Sequence, residues 1–151
     1  MSIIASRRRG DSPLSSRERS PSLKCSYPAV ASSVAEARGA VAEFASAAGA
    51  SDAQVDAIRL VTSEAMTNAV TFAYPARPGH VHVTAWLAAG EIWVLISDNG
   101  CGLHAGAKSD GLGLGLALIS VLSDGFSVVG CASGGTELRL RFDLEHAPAA
   151  A

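Results

Sequence analysis

The chain has 151 residues, of which 48% are hydrophobic and only 17% charged, enough for one domain with a real core and too few for two. Its mean hydropathy of +0.26 owes much to 28 alanines, and the longest uncharged runs, 78–90 and 111–123, hold 13 residues each, short of the roughly 18 apolar residues that a membrane-spanning helix needs. A formal charge of −2 hides a split: residues 1–24 carry six Lys/Arg against two acids and residues 25–151 six against twelve, so the main part is acidic and excludes a basic face for nucleic acid.

Residues 1–24 are rich in Ser, Arg and Pro, with few large apolar groups after Ile4. Such a segment cannot bury enough surface to offset chain entropy and is expected to be a disordered basic tail. No apolar run follows its arginines, so no secretory signal is expected. A domain is expected over 25–146, with a disordered Ala-rich end at 147–151. Cys25, Cys101 and Cys131 are odd in number and far apart, which suits neither a disulfide framework nor a CxxC zinc site. A reduced, cytoplasmic setting is therefore expected.

After Pro28, Val34, Ala37, Val41 and Phe44 recur at three- and four-residue steps and predict an amphipathic helix that Gly49 stops. Ser51 or Asp52 can cap a second helix, which runs until Pro75 and Pro78 forbid continuation. Its apolar stripe is Ile58, Val61, Ala65, Ala69 and Phe72. The runs HVHVTAW and EIWVLIS, joined by LAAG, predict a hairpin of two antiparallel strands ending at Asp98. Residues 99–115 hold six glycines and read as a loop suited to backbone approach toward a ligand. LGLALISVLSD then predicts a short helix, and FSVVGCA and TELRLRFDL a second hairpin around Ser133-Gly-Gly. Strands arriving as hairpins predict an α+β two-layer sandwich, a mostly antiparallel sheet covered on one face by helices, over a doubly wound fold.

Three groups of residues carry candidate chemistry. Glu64 and Asn68 are four apart on the second helix, so they project within roughly 40° of each other beside the apolar stripe. They read either as boundary residues or as a carboxylate that polarises a hydroxyl next to an amide oxygen that ligates a hard cation. Asp98-Asn-Gly-Cys-Gly102 reads either as a strand-end turn or as an acceptor-only carboxylate for an exocyclic amine on a flat ring. Gly111-Leu-Gly-Leu-Gly115 leads into a helix, where free N–H groups can cradle a phosphate. It matches neither a P-loop nor a dinucleotide fingerprint, and the glycines alone also fit a merely mobile loop.

Taken in order, Glu64-Ala-Met-Thr-Asn68, Asp98-Asn-Gly-Cys-Gly102, Gly111-Leu-Gly-Leu-Gly115 and Gly134-Gly-Thr136 resemble the GHKL, or Bergerat, ATP-binding fold over about residues 27–144. The phrase SEAMTNAVTFAYP is most similar to the anti-sigma-factor serine kinases. The resemblance implies that Glu64 is the general base or orients the nucleophile, that Asn68 ligates Mg2+, and that Asp98 accepts from the adenine amino group with Thr136 nearby. It further implies that Gly100 and Gly102 let the base approach and that Gly111, Gly113 and Gly115 flank a lid over the phosphates of ATP. A sigma factor, a STAS-type anti-anti-sigma antagonist that receives the phosphoryl group, and a homodimer are the implied partners.

The chain departs from that pattern at Phe72, where these kinases often carry histidine, and in the short segment Leu103–Asp110 with its one cation, Lys108. These departures leave open an alternative, a non-catalytic ATP-binding module that controls a partner through nucleotide-dependent binding. His80 and His82 share a strand face but offer two metal ligands without a third. Trp86 and Trp93 are expected as core or sheet cover.

Overall fold

The computed structural model describes residues 20–101, 112–132 and 134–145. Its elements are β1 (Ser22–Pro28), α1 (Ala31–Ala47), α2 (Asp52–Phe72), β2 (His80–Ala88), β3 (Glu91–Asp98), α3 (Leu112–Leu122), β4 (Gly125–Gly130) and β5 (Thr136–Asp143). The five strands form one sheet in the order β1-β2-β3-β5-β4, every pairing antiparallel. The architecture is α+β, as the paired strands in the sequence imply.

The strand beyond the four expected is β1, and it starts inside the stretch assigned to the tail. Ser22–Lys24 pair with β2 from Ser22↔Trp86 onward, and Leu23 and Tyr27 pack against the core. Leu23, Cys25 and Tyr27 alternate with Ser22, Lys24 and Ser26, a period of two that places one row inward. An edge strand tolerates Lys24 and the terminal Pro28. Burial, helped by a hydrogen bond with Cys25, pushes the Tyr27 phenol up to about 12.

Val81, Val83 and Ala85 of β2 and Ile92, Val94 and Ile96 of β3 are buried together with Leu138, Leu140 and Phe142 of β5. The helices close over this face with Ala37, Val41, Ala42 and Ala45 from α1 and Val55, Ile58, Val61, Ala65 and Met66 from α2. On the opposite face Trp86 and Trp93 are register partners, stacked with centroids 6.1 Å and planes 7° apart. Phe72 is a correction to the expected stripe, for its side chain is exposed. At that end of α2 the packing is taken over by Ala73, about 100° further round the helix, which is buried.

α1 stops where expected, at Gly49 with φ +101°. Ser51 caps α2 in a reciprocal box: its hydroxyl accepts from Gln54 N–H at 3.2 Å, and its own N–H donates to Gln54 Oε1 at 3.1 Å. Gln54 Nε2 also donates to the Asp143 carbonyl at 2.6 Å, tying the start of α2 to the end of β5.

The β2–β3 hairpin turns on Ala89 and Gly90, with φ of +52° and +77°. Two successive positive φ values are the geometry that Asn-Gly serves best, whereas alanine's Cβ crowds the following carbonyl. Ala89→Asn is expected to stabilise the fold by about 0.5–1 kcal/mol, read as a higher urea midpoint at unchanged m-value.

Candidate functional site

α2 supplies the first half of the site. Glu64 and Asn68 are both half-buried on its face, and α3 crosses them at Gly115. A Cβ on Gly115 would lie 3.2 Å from Asn68 Nδ2 and 3.3 Å from Glu64 Oε2. The absence of a side chain at that position lets the helix approach these polar groups without displacing them. Gly113, expected in the loop, and Gly115, expected where the loop passes into the helix, are both residues of α3. Glycine costs a helix about 1 kcal/mol relative to alanine, and at Gly115 the close contact with α2 explains the choice.

The second half is built at the end of β3. Asp98 is 8% exposed and stands between Val81 of β2 and Thr136 of β5 in the register. Burial raises its pKa above the ordinary carboxylate value, while the backbone N–H groups of Gly100 and Thr136 pull it down. The Gly100 N–H donates to Asp98 Oδ1 at 2.9 Å. Two such donors leave capacity on a carboxylate, which offers about four lone-pair positions.

Two glycines press on this strand end. A Cβ on Gly100 would overlap the carbonyl of Ala73, and one on Gly135, whose φ is +91°, would overlap the carbonyl of Asp98. On the side where a Cβ would stand, Gly100 is thus pressed against the end of α2. Gly135 did not emerge from the sequence as a site residue. Its signal was the positive-φ requirement of the Gly134-Gly135 pair, whose neighbour Thr136 was singled out instead.

Tyr74 was also missed. Its hydroxyl donates to the His80 carbonyl at 2.6 Å and accepts from the Asn99 N–H at 2.9 Å. Its ring fills the space beside Gly79, where a Cβ would overlap it. The Cys101 N–H in turn donates to the Ala73 carbonyl at 2.8 Å.

Five residues separate Asn68 from Ala73, about 7.5 Å along the helix axis. The structure therefore places Glu64, Asn68 and Gly115 at one station of α2, and Asp98, Gly100 and Thr136 at the next. Gly102, Gly111 and the segment Leu103–Asp110 lie outside the described residues. A cleft of about 760 Å³ between α1 and α2, lined by Gly39, Ala42, Glu43, Asp52 and Asp56 among others, contains none of these groups. Chemically, the two stations offer a buried acceptor for an amine at one end and a carboxylate with an amide, beside a glycine-bearing helix, at the other.

A family model described as the histidine kinase-like ATPase domain matches residues 27–142. Among solved structures, the chain is similar in fold to the RsbU and RsbW domains of Rv1364c from Mycobacterium tuberculosis, with a TM-score of 0.67 and 24% identity. The match covers 84% of this chain and 33% of that one, so the chain spans about a third of that longer chain. No curated protein matches the sequence.

Asp98 ionises at a cost in the folded state, because its pKa is raised by burial. Its contribution to stability therefore falls as pH rises from the ordinary value of 3.8 through the raised one. Asp98→Asn keeps an acceptor for Gly100 and removes that cost. Thermal unfolding is expected to show the variant more stable than the parent at pH 7, with the difference vanishing below pH 3.8.

Proposed function

Because the chain belongs to the histidine kinase-like ATPase domain family, we propose that it is an ATP- and Mg2+-dependent serine kinase that acts as an anti-sigma factor. In this reading it binds a sigma factor and phosphorylates a serine of a STAS-type anti-anti-sigma protein, which reverses the antagonist's hold. It works as a homodimer in the cytoplasm. The observation that carries the reading is the bare contact of Gly115 with Glu64 and Asn68, because it sets a carboxylate and a side-chain amide beside the first turn of a helix. The likeness to a protein with an RsbW domain supports the branch.

ATP would lie along α2, its adenine amino group donating to Asp98 and its phosphates reaching the amides at the start of α3. Asn68, with an oxygen donor suited to a hard cation, would hold Mg2+. This ion keeps several waters and needs only one or two protein oxygens beside the phosphates. Among the described residues no three of His, Cys, Asp and Glu gather into a metal cage, so a nucleotide-borne ion fits the donor set better than a dedicated one. When bound, Mg2+ neutralises charge on the phosphates. Glu64 accepts the proton of the serine hydroxyl as its oxygen bonds to the γ-phosphorus and the bond to ADP breaks. Positioning by Asp98 and Glu64 is the protein's main contribution, since phosphoryl transfer asks little covalent help.

With labelled ATP and the antagonist protein, Glu64→Gln is expected to bind ATP like the parent and to lose transfer by about a hundredfold or more, the scale of a general base. Undiminished transfer in the variant would overturn the kinase reading. Tight ATP binding by the parent with no transfer at all would instead establish the non-catalytic module, to which the apolar Phe72 points.

A further inference from the structure

The turn that follows Asp98 is held by an unbroken series of contacts. Three successive backbone N–H groups each have an acceptor: Asn99 donates to the Tyr74 hydroxyl at 2.9 Å, Gly100 to Asp98 Oδ1 at 2.9 Å, and Cys101 to the Ala73 carbonyl at 2.8 Å. Two of the three acceptors belong to adjacent residues just beyond α2. The middle one is the carboxylate assigned to base recognition. That carboxylate accepts from an amide of its own turn, so its orientation depends on how the turn is fixed on either side.

Ala73 acts through its backbone and is further locked by the fit of Gly100 against it. Tyr74 acts through a side chain and reaches across the site. Its hydroxyl donates to the His80 carbonyl at the start of β2 while it accepts from Asn99, and its ring is seated over Gly79. One hydroxyl thus ties together the end of α2, the first residue of β2 and the turn after β3. The ring is held by packing, so the hydroxyl is presented at a fixed place and loses little rotamer freedom when it binds.

We infer that Tyr74 is a positioning residue for base selection: it acts through the Asn99 amide to hold Asp98 where it takes an exocyclic amine. The inference rests on the reading of Asp98 as the adenine acceptor. The phosphate station lies farther back along α2, Asn68 by six residues and Glu64 by ten, and the hydrogen bonds of Tyr74 go to His80 and Asn99. Its effect is therefore confined to the base. Adenine presents an amine to an acceptor-only carboxylate, whereas guanine presents a carbonyl oxygen at the corresponding ring position, and the carboxylate has no proton to give it.

Tyr74→Phe keeps the ring over Gly79 and removes only the hydroxyl. Isothermal titration of the full chain with Mg-ATP, and with Mg-GTP by competition where binding is weak, is expected to show the Kd for ATP rising about tenfold, the scale of one lost hydrogen bond. The Kd for GTP is expected to stay within about twofold, so that selectivity and not overall affinity is lost. In an Asp98→Ala background the same substitution is expected to change ATP affinity no further, as befits groups that act in series. A purely structural role would weaken both nucleotides alike and would persist without Asp98. ATP preference retained in Tyr74→Phe, or equal losses for ATP and GTP, would overturn the inference while leaving the reading of the site intact. A parent protein that does not prefer ATP to GTP would overturn both.

Discussion

Backbone meets backbone where α2 ends against β3, and the site depends on that contact. Gly100 lies so close to Ala73 that no side chain fits between them, and Gly135 lies equally close to the Asp98 carbonyl on the other side. Asp98 is consequently enclosed by main chain from a helix end and a neighbouring hairpin. Main-chain walls leave amides close to the carboxylate, and these amides are what make burial of the acid tolerable. Larger side chains at positions 100 or 135 would separate the layers and remove the enclosure together with its donors.

The same arrangement explains why the two stations remain in register with each other. Glu64 and Asn68 lie on α2 and Ala73 caps it, so the distance between the two stations is set by helical rise and not by loop geometry. α3 approaches the first station through Gly115 and β5 delivers Thr136 to the second. α2 brings Glu64 and Asn68, β3 Asp98 and β5 Thr136, and a missing side chain eases three of the close approaches, at Gly100, Gly115 and Gly135. Burial sets a cost on ionising Asp98, and a neutral amide in its place would no longer offer acceptors alone.

Much of this was legible in the sequence because the signals were local. The Ser51/Gln54 box, the stop at Gly49 and the alternation in β2, β3 and β5 need only neighbouring residues to be recognised. The order of Glu64, Asn68, Asp98 and Thr136 along the chain pointed to elements that the fold brings into proximity. β1 was hidden because its inward row of Leu23, Cys25 and Tyr27 is interleaved with Ser and Lys and adjoins an arginine-rich segment. As an edge strand it needs only one pairing partner to be held. Gly113 looked like loop because glycine is a poor helix former, and the contact that suits Gly115 to its place lies on another helix. Tyr74 gave no signal, since the amide it receives is 25 residues away and appears only when β3 ends beside it. Gly135 was obscured for a similar reason, its partner being a carbonyl of a different strand.

The hydrogen bond from Gln54 to the end of β5 bears on motion as well as on capping. It fastens α2 to the sheet at the end far from Asp98, while Ala73 and Tyr74 fasten it at the near end. A helix anchored at both ends behaves as a strut: sliding along its axis would break one set of bonds without improving the other. α3 meets that strut across a glycine, a contact with no interlocking side chain at its centre. Any sliding of one helix past the other would therefore fall on α3, with α2 and the sheet as the fixed frame.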